Sequence, residues 1–67
     1  MGDELENRLR EERARRNLTQ AQLAEMVGVS RKTINTVENG IFVPSTTLAL
    51  RLAKALETTV EELFSLR

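Results

Sequence analysis

The chain has 67 residues, ten basic and ten acidic side chains, two Phe as its only aromatic residues, and neither Cys nor His. A chain of this length is expected to form one domain, here residues 1–67. Without Cys it cannot form a disulfide, and without His it lacks a common metal ligand and general base, so we expect no metal, no cofactor and no enzymatic activity.

The charge and hydropathy patterns indicate where the protein is located and what kinds of partner it can bind. No apolar run approaches the roughly 20 residues of a membrane span and no signal peptide is visible, so we expect a cytoplasmic protein without a membrane partner. The formal net charge is zero, but seven basic side chains lie between positions 8 and 32 and the acidic ones concentrate toward both ends. This distribution indicates either one basic face suited to nucleic acid or solvated helix faces with ion pairs, and charge alone does not decide.

Helix signals dominate along the chain and strand signals are weak. Leu5 and Leu9 share a helix face and predict the first helix. Each later helix follows a hydroxyl side chain that can cap its N terminus, and these residues are Thr19, Ser30, Ser45 and Thr59. The five predicted helices cover residues 4–16, 20–27, 31–39, 46–56 and 60–64. Five short helices with tight links predict an all-α domain.

Residues 20–39 carry the spacing of a helix-turn-helix unit. Ala24 is small enough for the second helix to cross closely over the first, Gly28 permits the sharp turn, and Ile34 pins the second helix to the core. Val37 lies one turn further on the same face. An ordinary αα-hairpin is the alternative interpretation, and these offsets taken together favour the helix-turn-helix.

The outward side of the second helix of this unit suits the major groove of DNA. Its outward residues are not acidic, and all of them can form hydrogen bonds. Arg and Lys donate to guanine, Asn can bind adenine, and the Thr methyl can touch a thymine methyl. We therefore expect base contacts from Arg31, Lys32, Thr36 and Asn35. Contacts to the DNA backbone are expected from Gln20, Ser30, Thr33 and Asn39.

The run LTQAQLAEMVGVSRKTINTVENG, followed by Pro44-Ser45 and a helix ending in LAKAL, resembles the Xre family of phage-repressor and Cro-like regulators. The resemblance covers nearly the whole chain and is greatest to the short stand-alone members of the family. It implies a five-helix lambda-repressor-like fold. It also implies binding as a homodimer to a palindromic operator in double-stranded DNA.

The resemblance also implies roles for individual residues. By position it implies base contacts from Arg31, Lys32 and Thr36, and phosphate contacts from Gln20 and Asn39. It implies a partly buried ion pair between Arg13 and Glu38, for which the alternative is two exposed charges. The chain departs from the family at Glu57, where Gly or Asn is common, and at Thr58, where an aliphatic residue is usual.

Two questions stay open at the level of sequence. Phe64 and Leu66 are candidates for a two-fold contact between subunits, but Phe64 can equally complete the core of the monomer. Phe42 can pack under its loop or lie beside the DNA backbone.

The favoured function is a sequence-specific, dimeric autorepressor that reads the major groove with residues 31–39. The alternative is an antitoxin that binds a toxin protein and regulates its own operon, although no toxin-binding tail is visible.

Overall fold

The computed structural model describes residues 3–67, which form five helices and two short strands. The strands are β1 (Leu5–Asn7) and β2 (Phe64–Leu66), and the helices are α1 (Leu9–Arg15), α2 (Gln20–Val27), α3 (Arg31–Glu38), α4 (Thr46–Ala55) and α5 (Val60–Leu63). The five helices confirm the predicted helical fold. Their ends lie within a residue or two of the predictions, except at the start of α1.

The N termini of the last four helices are fixed by their own side chains. Ser30, Ser45 and Thr59 each accept a hydrogen bond from the backbone N–H three residues later. At α2 the capping box is complete: Thr19 accepts from the Gln22 amide, and the Gln22 side chain accepts from the Thr19 amide. These bonds satisfy amides that a helix leaves without partners, which is why local sequence determines where the helices begin.

The turn between α2 and α3 depends on Gly28, whose backbone is left-handed with φ of 76°. The amide of the next residue, Val29, donates to the carbonyl of Ala24 at 3.0 Å and closes the end of α2. A Cβ atom at position 28 would cause no steric clash, since its only neighbour within 4.0 Å is the Arg51 guanidinium. Glycine is therefore favoured here by its backbone freedom rather than by lack of space.

The prediction that a helix begins at residue 4 is wrong. Residues Leu5–Asn7 form β1, which pairs antiparallel with β2 so that Leu5 lies opposite Leu66 and Asn7 opposite Phe64. The amide of Arg67 donates to the carbonyl of Glu4 at 2.8 Å and extends this pairing. The two ends of the described chain thus supply each other's backbone hydrogen bonds, which local helix signals could not reveal.

The core lies between the helices, and its fully buried side chains come from all five of them. The largest are Leu9, Leu23, Ile34, Val37, Leu52, Leu56 and Leu63. Phe64, a candidate for the two-fold contact, joins this core and is only 9% exposed, which favours its place in the core of the monomer. Leu66, the other candidate for that contact, is 66% exposed.

Candidate nucleic-acid interface

Helix α3 turns its apolar side chains inward and its polar side chains outward. Ile34 and Val37 are buried, whereas Arg31, Lys32 and Asn35 are exposed. Burial of the two aliphatic side chains fixes the helix on the core, so the side chains on its other face have a defined direction. That face is rich in hydrogen-bond donors.

The single acidic residue of α3, Glu38, is removed from this exposed face. Its side chain is 0% exposed, and its carboxylate lies 2.6 Å from Nε of Arg13 in α1. Arg13 also donates through Nη2 to the second carboxylate oxygen and through Nη1 to the carbonyl of Leu18. Arg13 therefore ties the end of α3 to α1 and to the α1–α2 connection. The ion pair leaves α3 with no free negative charge to oppose phosphate.

Further polar side chains join this ion pair and reach the surface. Gln20 donates from Nε2 to Glu38 at 3.1 Å and to Asn35 at 3.2 Å. Arg10 donates from Nε to Glu38 at 3.4 Å and from Nη2 to Asn39 at 2.8 Å. Asn39 in turn donates to the carbonyl of Asn35 at 2.9 Å. We call the six residues the Glu38 network: Arg10, Arg13, Gln20, Asn35, Glu38 and Asn39.

The environment of Glu38 favours its ionised form. Burial of the carboxylate alone would raise its pKa, but hydrogen bonds from Arg13 and Gln20, the positive charge of Arg13 and a weaker bond from Arg10 outweigh burial and hold the pKa below its ordinary value. The carboxylate is thus charged at neutral pH and balanced locally. A balanced charge costs less to keep beneath the exposed face of α3 than an unpaired one.

Three hydroxyl side chains along α3 are engaged with the helix itself. Ser30 caps the helix and lies 3.0 Å from the hydroxyl of Thr33. Thr36 donates its hydroxyl proton to the carbonyl of Thr33 at 2.9 Å. The methyl group of Thr36 is therefore the part of this side chain left for an outside contact, which suits an apolar neighbour rather than a hydrogen-bond acceptor.

The structure brings most of the residues singled out from the sequence onto one surface. Arg31, Lys32, Asn35 and Thr36 lie along α3, and Gln20 and Asn39 meet them through the Glu38 network. Sequence reasoning missed Arg10, which shares a helix face with Arg13 three residues later. It also missed Asn7, whose Nδ2 donates to the carbonyl of Val37 at 3.0 Å. The i, i+3 spacing of the two arginines was the available signal for Arg10.

Within the described part of the chain, the other kinds of site have no support. Residues 3–67 contain no group of three side chains that could hold a metal ion. No helix among these residues is both long and apolar enough to cross a bilayer.

Two helices joined by a tight glycine turn, with the second presenting a donor-rich face, define a helix-turn-helix DNA-binding domain. The family described as helix-turn-helix matches residues 9–63. A relative from Bacillus subtilis, the HTH-type transcriptional regulator YgzD, is 42% identical over 60 residues, which cover 90% of this chain and 91% of the relative.

Solved structures agree with this class. The restriction-modification controller protein C.AhdI from Aeromonas hydrophila is 38% identical, with a TM-score of 0.78 over 82% of this chain and 83% of that one. The P22 c2 repressor, solved in complex with a synthetic operator, is 35% identical, with a TM-score of 0.78 over 81% of this chain and 82% of that one. The chain belongs to the helix-turn-helix family, in its Xre and Cro-like branch. It is a DNA-binding transcriptional regulator and not an enzyme.

Proposed function

We propose that this protein is a sequence-specific regulator, acting in the cytoplasm as a single domain, that inserts α3 into the major groove of double-stranded DNA. One observation carries the proposal: the exposed side of α3 offers donors and no free carboxylate, because Glu38 is turned inward and paired with Arg13. An exposed helix with this character suits the acceptor-rich edges of bases between two rows of phosphates. The P22 c2 repressor, which shares this fold, is solved in complex with a synthetic operator, and this supports DNA binding by the present chain.

The contacts divide into base readers and backbone contacts. Arg31 and Lys32 are exposed in the first turn of α3, the part of a recognition helix that lies deepest in the groove. We assign base contacts to Arg31, Lys32, Asn35 and Thr36. We assign backbone contacts to Gln20, Ser30, Thr33 and Asn39. Hydrogen bonds within the Glu38 network hold two of these backbone residues, Gln20 and Asn39, before DNA arrives, so little side-chain entropy is lost on binding.

We further propose that two copies bind a palindromic operator and repress transcription, including that of their own gene. One domain reads only a few base pairs, and pairing across half-sites about 34 Å apart supplies the missing specificity. The surface that supports pairing is apolar: Leu66 is 66% exposed and lies opposite Leu5 in the strand pair. Leu5 also lines a groove of about 640 Å³ with Leu50, which is 57% exposed.

Selection of binding sites from random duplex DNA, followed by affinity measurements on variants, tests the function. Arg31→Ala and Lys32→Ala should each cost about 1 to 3 kcal/mol on the selected duplex and relax the base preference at one position per half-site. Arg15→Ala is the matched control, since it removes an equal charge from an exposed position on α1 that lies outside α3 and does not line the groove beside Leu5 and Leu50. The proposal fails if no duplex is enriched, or if the α3 variants bind as tightly as the control.

A further inference from the structure

Asn35 is an exposed residue of α3 whose side-chain carbonyl oxygen is turned into the Glu38 network. Its Oδ1 accepts one hydrogen bond from Nε2 of Gln20 and one from Nδ2 of Asn39, each at 3.2 Å. An amide oxygen has two lone pairs, so these two donors use its capacity to accept. The amide nitrogen of Asn35 takes part in neither bond. The side chain is therefore left with its donor for an outside partner.

The charged groups at the two ends of the network fix the direction of these bonds. The ionised carboxylate of Glu38 can only accept, so the atom of Gln20 that lies 3.1 Å from it is the amide nitrogen, Nε2. The guanidinium of Arg10 can only donate, so the atom of Asn39 that lies 2.8 Å from Nη2 is the oxygen, Oδ1. Gln20 and Asn39 are thus both oriented with their amide nitrogens toward Asn35.

Reversing the side-chain amide of Asn35 is unfavourable for the same reason. Its Nδ2 would then face the amide nitrogens of Gln20 and Asn39, and both hydrogen bonds would be replaced by contacts between donors. Turning Gln20 to compensate would place its oxygen against the carboxylate of Glu38. The network therefore holds Asn35 in one orientation before DNA arrives.

We infer that Asn35 reads bases as a donor only: its Nδ2 donates to a keto oxygen, guanine O6 or thymine O4, and its side chain accepts nothing from adenine or cytosine. The inference rests on the proposed function, since it requires α3 in the major groove. Adenine and cytosine present amino groups at the corresponding places. Binding adenine through two bonds requires the oxygen of an asparagine as well as its nitrogen, and in Asn35 that oxygen is already occupied.

The test removes single groups from the bases of the selected duplex. Repeating the selection with Asn35→Ala identifies the position that Asn35 reads, since the base preference of the parent disappears there. At that position 2-aminopurine replaces guanine, or 5-methyl-2-pyrimidinone replaces thymine, and either change removes the keto oxygen. Purine for adenine, or 2-pyrimidinone for cytosine, removes the amino group instead. The parent should lose about tenfold in affinity with the keto oxygen and nothing with the amino group, and Asn35→Ala should be insensitive to both.

Asn35→Asp provides a second, independent variant. It keeps an oxygen directed at Gln20 and Asn39 and replaces the outward nitrogen by an oxygen. On four duplexes that carry each base pair in turn at this position, its order of affinities should be the reverse of the parent's order. The order is compared within one protein, so the general loss of affinity from the added negative charge does not affect it.

The double variant Arg10→Met with Gln20→Met tests the role of the network, because it removes the groups that orient Asn35 and leaves Asn35 itself. It should lose the tenfold dependence on the keto oxygen. Arg15→Met is the control: it removes an equal charge from α1 outside the network and should keep that dependence. Thermal unfolding verifies the fold of every variant.

Three results would overturn the inference. The first is a parent that is weakened by loss of the amino group, or by neither removal. The second is an unchanged order of affinities in Asn35→Asp, or an unchanged selection with Asn35→Ala. The third is a full dependence on the keto oxygen in the double variant. A parent that binds no duplex instead removes the proposed function itself.

Discussion

Glu38 is an acidic residue on α3 whose carboxylate is both buried and paired. A carboxylate on a recognition helix repels phosphate, yet here it receives hydrogen bonds from Arg10, Arg13 and Gln20 and has no exposed surface. Its carboxylate accepts hydrogen bonds that hold these three side chains in place, and one of them, Gln20, is assigned to the DNA backbone. Glu38 therefore positions neighbouring side chains and adds no exposed carboxylate to the surface of α3.

The ionisation of Glu38 should make stability depend on pH in a predictable direction. Because its pKa in the folded protein is below the ordinary value of 4.5, the ionised carboxylate stabilises the fold above that pH, and this contribution is lost as the pH falls through the folded pKa. Glu38→Gln lacks the contribution. At pH 7 the variant should be less stable by about 2 kcal/mol. Urea unfolding of both proteins between pH 7 and pH 3 should show this gap narrowing below about pH 4.5.

Glu57→Gln provides the control for this experiment. Glu57 also pairs with an arginine, Arg16 at 3.3 Å, but its side chain is 78% exposed. Its substitution should change stability by less than about 1 kcal/mol. A gap for Glu38→Gln that stays constant down to pH 3 would show that ionisation of the carboxyl group does not stabilise the fold. A gap no larger than that for Glu57→Gln would show that the buried ion pair stabilises the fold no more than an exposed one.

Features of the site that depend on contacts within one helix can be predicted from the sequence, whereas contacts between helices cannot. The spacing of Ile34 and Val37 predicts which side of α3 faces outward, because helix periodicity is local. It does not predict that Gln20 and Asn35 bond to each other, since that contact depends on how α2 and α3 cross. The position of Arg10 beside Asn39 likewise follows from the packing of α1 on α3.

At the scale of elements, the helices depend on local interactions, whereas the strands depend on pairing between distant parts of the chain. Helices α2 to α5 begin where predicted because each cap bonds to a backbone amide only three residues away. Strand β1 was missed because its partner lies at the other end of the chain, and the spacing of Leu5 and Leu9 is equally consistent with a helix. Pairing with β2 supplies the hydrogen bonds that a longer α1 would have made.

The end of α4 contains a conformational strain that can be measured. Glu57 follows the helix with a left-handed backbone, with φ of 56°. Glu57→Gly should be more stable than Glu57→Ala by about 1 kcal/mol, because a Cβ disfavours this conformation. Both variants lose the exposed ion pair with Arg16, so their difference in urea unfolding isolates the backbone effect. Equal stabilities would show that the left-handed backbone carries no such cost.

At the scale of the whole molecule, two surfaces have distinct character. The outward face of α3 and the groove beside Leu5 and Leu50 share no residue. The first carries hydrogen-bond donors, as expected for a surface that reads base edges. The second is mostly apolar and is continued by Leu66, which shares a face of the strand pair with Leu5. A domain with zero net charge can thus offer one surface to DNA and another to a second copy.

The pairing surface leads to a prediction for the assembled protein. In an isologous contact both copies of Leu66 are buried, so Leu66→Ser should raise the dissociation constant of the dimer at least about tenfold. Sedimentation measures this directly, and binding to the full operator should weaken while binding to an isolated half-site stays the same. Met26→Ser is the control, since Met26 is 54% exposed on α2 and does not line the groove beside Leu5 and Leu50. If Leu66→Ser sediments and binds the operator as Met26→Ser does, the two copies pair through another surface.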